Sequence, residues 1–292
     1  MNSRRESRMA LLFVAPWIVG FSLFLLYPLV ASVIYSFCDY SVLKPAVYIG
    51  ADNYREILSD ELFWTSLKNT LVYAAMALPA TAITALGLAI LLNCKVKGIA
   101  AFRTMFFIPS LVPVVAVAVI WQFILNGQHG LLNAFLSLFH VRGPDWLGDP
   151  AWSKPALALI AAWAVGNPMV IYLAGLQDIP VQLYEAADLD GAKWFSKTRH
   201  ITLPMLSPVI LFNMIMGIIS TLQIFTVPYV LDNQGAPAHS IYFYSMYLFD
   251  NAFVYNKMGY ASAMGWIMFL IIVTLTFAAL KFSDRHVHYS GG

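Results

Sequence analysis

Long apolar runs alternate with short polar islands along this chain. The runs extend from about Ala10 to Phe37, Asn69 to Cys94, Thr104 to Leu125, Pro155 to Leu176, Met205 to Leu231 and Gly259 to Leu280. A hydrocarbon core of ~30 Å takes about 20 helical residues to cross. The pattern therefore predicts an all-α membrane protein of six transmembrane helices in one domain, residues 1–292. Pro16, Pro28, Pro79, Pro109, Pro113, Pro168, Pro208 and Pro228 interrupt the runs, as spans tolerate where neighbours satisfy the freed backbone. The first run follows Arg4, Arg5 and Arg8 and looks superficially like a signal peptide. It is too long for one, and no small-residue cleavage site follows promptly.

The polar island at residues 178–204 has an unusual make-up. Asp178 and Pro180 suit a helix start, Gly191 suits a stop or bend, and Pro204 precedes the next apolar run. Two short helices joined at Gly191 are expected. Glu185 stands beside the small Ala186 and Ala187, which permit close backbone approach. Trp194 and Phe195 lie among Lys193, Lys197, Arg199 and His200. A loop without a partner has little reason to hold two large aromatics in water.

Composition agrees with a membrane setting. The chain is 60% hydrophobic and only 11% charged, with a mean hydropathy of +0.71. Soluble domains carry about 25% charged residues. By the boundaries above, all 15 Asp and Glu fall in loops or tails, and no Lys, Arg or His sits mid-span. Ion-coupled transporters usually need ionisable groups at membrane depth, so the pattern points to an energy source outside this chain. It also offers no acid–base pair or nucleophile–base set. No metal-ligand cluster and no Gly-rich phosphate loop is present, so the chain is not itself an ATPase. The two cysteines, Cys38 and Cys94, are expected at opposite membrane faces and unpaired.

Basic residues set the orientation. Arg4, Arg5, Arg8, Lys95, Lys97, Arg103, Lys193, Lys197, Arg199, Lys281 and Arg285 share one side. Lys44, Arg55, Lys68, Arg142, Lys154 and Lys257 share the other. Eleven against six, with shorter loops on the richer side, places both termini and the 178–204 loop in the cytoplasm. On the other side, Trp146 and Trp152 read as interfacial anchors. Asn53 with Glu56 suggests a capped short helix. The aromatics Tyr242, Phe243, Tyr244, Tyr247, Phe249, Phe253 and Tyr255 suggest an element lying along the interface.

The spacing of Glu185, Ala186, Ala187, Gly191, Ile201, Leu203 and Pro204 resembles the EAA loop of ABC importer permeases. The likeness covers nearly the whole chain. Tyr27 with Pro28, Asn53 with Tyr54, Ser66 to Thr70, Phe102 to Thr104, Pro109, Gly130 to Asn133, Trp146 with Leu147, Leu173 to Gln177 and Gly259 to Ala263 are similar to the carbohydrate-uptake branch, the maltose- and glycerol-phosphate-type permeases. Asn233 to Pro237 departs from the Gly-Gly-Pro ending usual there, which touches contacts with the binding protein.

The resemblance implies a fold of the type I ABC importer permease kind and a bacterial or archaeal cytoplasmic (inner) membrane. It implies a second homologous permease subunit, two ATPase subunits, an extracytoplasmic substrate-binding protein, a sugar-like substrate and the lipid bilayer as partners, and no nucleic acid. ATP and Mg would be held by the ATPase, with no cofactor on this chain. Glu185, Ala186, Ala187, Gly191, Trp194, Phe195, Ile201, Leu203 and Pro204 would form the coupling joint. Counting along the family pattern puts sugar contacts at Asn167, Ser220, Thr221 and Ile224.

The residues themselves offer overlapping candidates. Trp163 and Asn167 lie one helical turn apart, as do Ser220 and Gln223. Amides and hydroxyls beside aromatic faces suit a sugar. The same groups equally suit interhelical hydrogen bonds that only pack the bundle, and Asn213 reads as one of these. An ATPase-independent secondary transporter or channel remains the alternative.

The basic asymmetry generates a direct test. In a Cys-free background, single cysteines at Ser196 and Ser245 should label from opposite sides of sealed vesicles. Labelling of both from one side contradicts the six-span arrangement.

Overall fold

A backbone in hydrocarbon must satisfy its own N–H and C=O groups, so the apolar runs become helices. The computed structural model describes residues 3–94, 96–231 and 239–283. Lys95, residues 233–237 and Arg285 lie outside them.

The elements run as follows. Helix α1 (Ser3–Phe21) passes through a π-helical turn (Ser22–Leu26) into α2 (Tyr27–Ser36), and a hairpin of β1 (Cys38–Ser41) and β2 (Lys44–Tyr48) follows. Next come α3 (Asp52–Ser59), α4 (Glu61–Leu92), α5 (Ile99–Phe107) with a 3-10 turn (Ile108–Leu111), α6 (Val114–Ile124) and α7 (Leu131–Ser137). The chain continues through α8 (Pro150–Trp163), α9 (Gly166–Gln177), α10 (Val181–Leu189) and α11 (Trp194–Lys197). A second π turn (Thr198–Thr202) leads to α12 (Leu203–Met205). It closes with α13 (Ser207–Leu222), α14 (Thr226–Leu231), α15 (Tyr244–Phe249), a third π turn (Asp250–Val254) and α16 (Met258–Ser283).

Four stretches are long and apolar enough to cross a membrane: Leu12–Ser36, Glu61–Leu92, Ser207–Leu231 and Met258–Ser283. Two more are bent pairs. Ile99–Leu111 meets Val114–Ile124 at 97°, and Pro150–Trp163 meets Gly166–Gln177 at 49°. With each pair counted once, the six expected spans are present. Their bounds shift outward in places. At 32 residues, α4 is about 48 Å long, well beyond the hydrocarbon thickness, so its charged Glu61 and Lys68 belong to the part outside it.

The described residues form two compact units. One comprises the chain up to Phe63 with Tyr247–Leu270, the other Trp64–Met246 with the chain from Ile271. In the first, the hairpin pairs antiparallel with Cys38 opposite Tyr48, an element the sequence reading did not include. Asn53 does not cap its own helix, whose N-cap is Ala51 without a side-chain bond. It is buried and donates to Ser36 O and Cys38 O, each at 2.9 Å, occupying carbonyls left open where α2 ends. Gly259 packs so closely on this turn that a Cβ would stand 2.0 Å from Cys38 O.

Asp60 is the other fixed point of that unit. Its Oδ1 accepts from the N–H groups of Leu62 and Phe63 at the start of α4. Its Oδ2 accepts from the hydroxyls of Tyr247 and, at 2.6 Å, Tyr260. Burial pushes the carboxyl up, but these four donors outweigh it and hold Asp60 below the usual carboxylate range.

In the second unit, Ala85, Ala89, Met169, Tyr172, Leu176 and Leu206 are among the residues of one buried core. The segment 239–244 is tied into that unit. Asn69 Nδ2 donates to His239 O at 2.7 Å and Tyr242 O at 3.1 Å, Tyr244 N donates to Thr70 Oγ1 at 2.9 Å, and the Ser153 and Ser240 hydroxyls meet at 2.9 Å. This corrects the expected interfacial element. Tyr242, Phe243, Tyr244 and Tyr247 are buried in protein, and only Phe253 and Tyr255 of that set are exposed among the large hydrophobics.

Candidate functional site

Two breaks in the helices shape a chamber. Pro168 lacks the N–H that would bond back to Ala164, and its ring crowds that carbonyl. The ladder therefore stops at Trp163 and restarts at Gly166. Gly166 permits the junction to sit against the 3-10 turn, since a Cβ there would stand 2.5 Å from Ser110 Oγ. Pro113 does the same for the second break, starting α6 with ψ 135°. Irregular backbone at membrane depth is tolerated where it lines a cavity.

The chamber has a volume of about 680 Å³ and lies among α4, α6, α8, α9 and α13. Tyr73 and Thr81 face it from α4, Asn167 and Tyr172 from α9, and Asn213, Ser220 and Thr221 from α13. A smaller lobe of about 250 Å³ shares Tyr73 and Asn167 and reaches Ser110 and Ile224. No Asp, Glu, Lys, Arg or His is in the lining of either.

The polar groups differ in how far they are occupied. Thr221 Oγ1 donates to Gly217 O at 2.7 Å and Ser220 Oγ to the same carbonyl at 3.1 Å. Asn213 Nδ2 donates to Val209 O at 3.3 Å. These satisfy donors within α13 and leave the side-chain oxygens as acceptors. The Asn167 amide makes no hydrogen bond among the described residues and lines both lobes, which leaves its full donor and acceptor set available.

Of the six residues proposed from sequence for a cavity, Asn167, Ser220, Thr221 and Ile224 are in its lining. Trp163 and Gln223 are not. Trp163 sets its ring edge-on to Trp121 at 5.8 Å, and Gln223 is the exposed C-cap of α13. Tyr73, Thr81, Tyr172 and Asn213 join the lining without having been proposed. Only Asn213 carried a signal, as an amide mid-run, and it read as packing.

The 178–204 loop is built for rigidity and exposure together. Helix α10 follows Pro180, which takes the N-cap position, while Asp178 caps the end of α9 instead. Gly191 closes α10 with φ +72°. Gly191 N donates to Asp188 O at 3.1 Å and Ala192 N to Ala187 O at 2.9 Å, the paired bonds of a Schellman cap. Lys197 pairs with Asp188 at 2.8 Å across the bend. Tyr184 and Thr202 join the two halves through their hydroxyls at 2.9 Å, and Tyr184 and Ile201 pack on the core that contains Leu206. Leu203 and Pro204, in α12, are half-buried.

The outward face is apolar. Leu189 is 91% exposed, Phe195 68% and Trp194 65%, beside the exposed Glu185 and Ala186 and the half-buried Ala187. Apart from Asp188 with Lys197, no carboxylate of the loop has an ion pair among the described residues. A cleft of about 200 Å³ runs between Trp194 and Lys197 and the end of α4 at Asn93 and Cys94.

The family pattern described as binding-protein-dependent transport system inner membrane component matches residues 63–289. A probable ABC transporter permease protein of Bacillus subtilis, YesP, is 39% identical over 290 residues, covering 98% of this chain and 94% of that protein. The arabinooligosaccharides transport system permease protein AraP of Bacillus subtilis is 34% identical over 276 residues, covering 93% of this chain and 87% of that one. A chain in the crystal structure of a bacterial ABC transporter involved in the import of the acidic polysaccharide alginate superimposes with a TM-score of 0.85 at 24% identity. The match covers 96% of each chain, so the fold is shared.

Proposed function

The chain belongs to the family of binding-protein-dependent transport system inner membrane components, and from that premise we propose that it carries a sugar or sugar derivative across the membrane by alternating access. On this reading it pairs with a second, homologous permease. Two ATPase subunits dock on the 178–204 loop, and a binding protein delivers substrate from the other side. ATP and Mg stay on the ATPase subunits. The relatives' names, arabinooligosaccharide transport among them, support a saccharide.

One observation carries the proposal. The exposed loop is bracketed by two of the helices that line the chamber. Helix α9 holds Asn167 at one end, and three residues separate its last residue, Gln177, from α10. Helix α13 begins shortly after α12 and carries Asn213, Ser220 and Thr221. From Asn167 to Gln177 is about 15 Å of helix, a short and stiff lever. A displacement imposed on α10 and α11 by a closing partner reaches the chamber through α9 and α13. The chamber supplies uncharged donors and acceptors beside the rings of Tyr73 and Tyr172, as a polyhydroxylated ligand needs. Among the described residues it presents no Asp, Glu, Lys, Arg or His through which a proton or ion gradient would act.

Two tests separate the site from the joint. Asn167→Leu should lower uptake about fivefold to tenfold, the worth of a typical hydrogen bond, with the ATPase still assembled. Gln223→Leu, outside the lining, should leave uptake unchanged. If Asn167→Leu instead prevents assembly, the amide packs the bundle. At the joint, Trp194→Ala should cost on the order of 2 kcal/mol of docking as an interface anchor. Gly191→Val should strain its left-handed backbone by ~1 kcal/mol or more, although nothing stands within 4 Å of the added Cβ. Unchanged ATPase retention and uptake in the double variant contradicts the docking role.

A further inference from the structure

Six residues, 125–130, connect α6 to α7. Asn126 Oδ1 accepts from Gln128 N and His129 N, and Gly130 N donates to Asn126 O at 3.0 Å, so residues 126–130 are one tight turn. Gly130 is pressed onto the end of the span itself, where a Cβ would stand 2.6 Å from Ile124 O. Helix α7 therefore starts directly beside the end of α6.

One face of α7 is fastened to the protein. Asn133 Nδ2 donates to Gly127 O at 2.8 Å and Pro144 O at 3.1 Å, while its Oδ1 accepts from Trp146 Nε1 at 2.7 Å. Leu132 and Leu136, on the same side, are half-buried. The helix is closed by a Schellman cap. His140 adopts φ 59°, His140 N donates to Ser137 O, and Val141 N donates to Leu136 O.

The other face is bare. Leu131, Phe135, Leu138 and Phe139 fall on one stripe at helical spacing, and each is more than half exposed, Leu138 to 74%. Four large apolar side chains held outward on a fixed helix are a covered surface in the working protein.

Charge and position identify the cover. From Leu125 to Gly143 the chain has no Asp or Glu, and it has Arg142, His129 and His140. Trp146 and Trp152 sit edge-on at 5.2 Å beside the helix, the residue type concentrated at membrane–water boundaries. An amphipathic segment at a span's end, whose one fixed charge is Arg142 and whose nearest carboxylate, Asp145, is turned in against Gly127, fits a phospholipid surface. We propose that residues 131–142 are a membrane-surface anchor. Leu131, Phe135, Leu138 and Phe139 seat among the headgroups of the leaflet opposite the 178–204 loop, and Arg142 faces lipid phosphate. The anchor holds the junction of two bent spans, α6 and α8, at constant depth while the chamber changes shape.

The test uses the full chain in its assembled complex, in vesicles of phosphatidylethanolamine and phosphatidylglycerol. A fluorophore on a single cysteine at Phe135, in a background lacking Cys38 and Cys94, is exposed to two quenchers. A lipid with a shallow nitroxide should remove most of its emission and aqueous iodide little. The same label at Ser137, exposed but off the apolar stripe, should respond in the reverse order. Leu138→Cys provides a second reporter if Phe135→Cys does not assemble. Strong iodide quenching at both reporters overturns the proposal in favour of open water. Protection from both quenchers overturns it in favour of a protein cover, and protection from iodide gained only on adding the binding protein identifies that partner.

Discussion

The hydrocarbon core contains no water to bond an open peptide group, and each unsatisfied group there costs several kcal/mol. Everything distinctive in this chain is placed where that constraint can be relaxed. The breaks before Val114 and Gly166 open the backbone only beside the chamber. There Asn167 lines the chamber and, with Ser110, its smaller lobe. The same breaks that would weaken a lipid-facing span thus bring hydrogen-bonding groups of each bent pair to the chamber or its smaller lobe.

Rigidity around these breaks comes from close backbone approach. Gly166 lets the α8–α9 junction sit on Ser110, Gly217 lets α13 meet Leu78 of α4, and Gly175 lets α9 meet Val209 and Leu206, each within 3 Å of where a Cβ would stand. Packed cores move between discrete arrangements rather than deforming continuously. Two of the helices that wall the chamber, α9 and α13, are the ones that lead into and out of the loop carrying α10 and α11. The loop's own bonds, Lys197 to Asp188 and Tyr184 to Thr202, make it move as a unit.

The sequence reveals much of this and conceals some of it for identifiable reasons. The spans were legible because hydropathy over about 20 residues has few competing explanations. The left-handed Gly191 was legible because a glycine flanked by two helix-forming stretches has few other uses. Pro113 and Pro168 announced breaks, but not bends of 97° and 49°, which depend on what the half-helices pack against. Tyr242 to Tyr247 misled because an aromatic run reads the same whether it lies on a membrane or folds into protein. Only the bonds from Asn69 and Thr70, more than 160 residues earlier in sequence, decide it. Asn53 misled for the same reason, since its partners are the carbonyls of Ser36 and Cys38 rather than its own helix. Trp163 matched a sugar-stacking expectation in type and spacing, yet its ring is engaged by Trp121. Tyr73 and Thr81 carried no signal, because a tyrosine or threonine within an apolar run is ordinary.

The central claim is that a partner's ATP cycle, acting through the 178–204 loop, opens and closes this chamber. The most direct measurement is substrate accumulation in proteoliposomes holding this chain, its partner permease and the ATPase, with the binding protein outside. Uptake should require ATP on the side of the 178–204 loop and should persist when the proton and sodium gradients are collapsed. Accumulation driven by an ion gradient in the absence of ATP would contradict it.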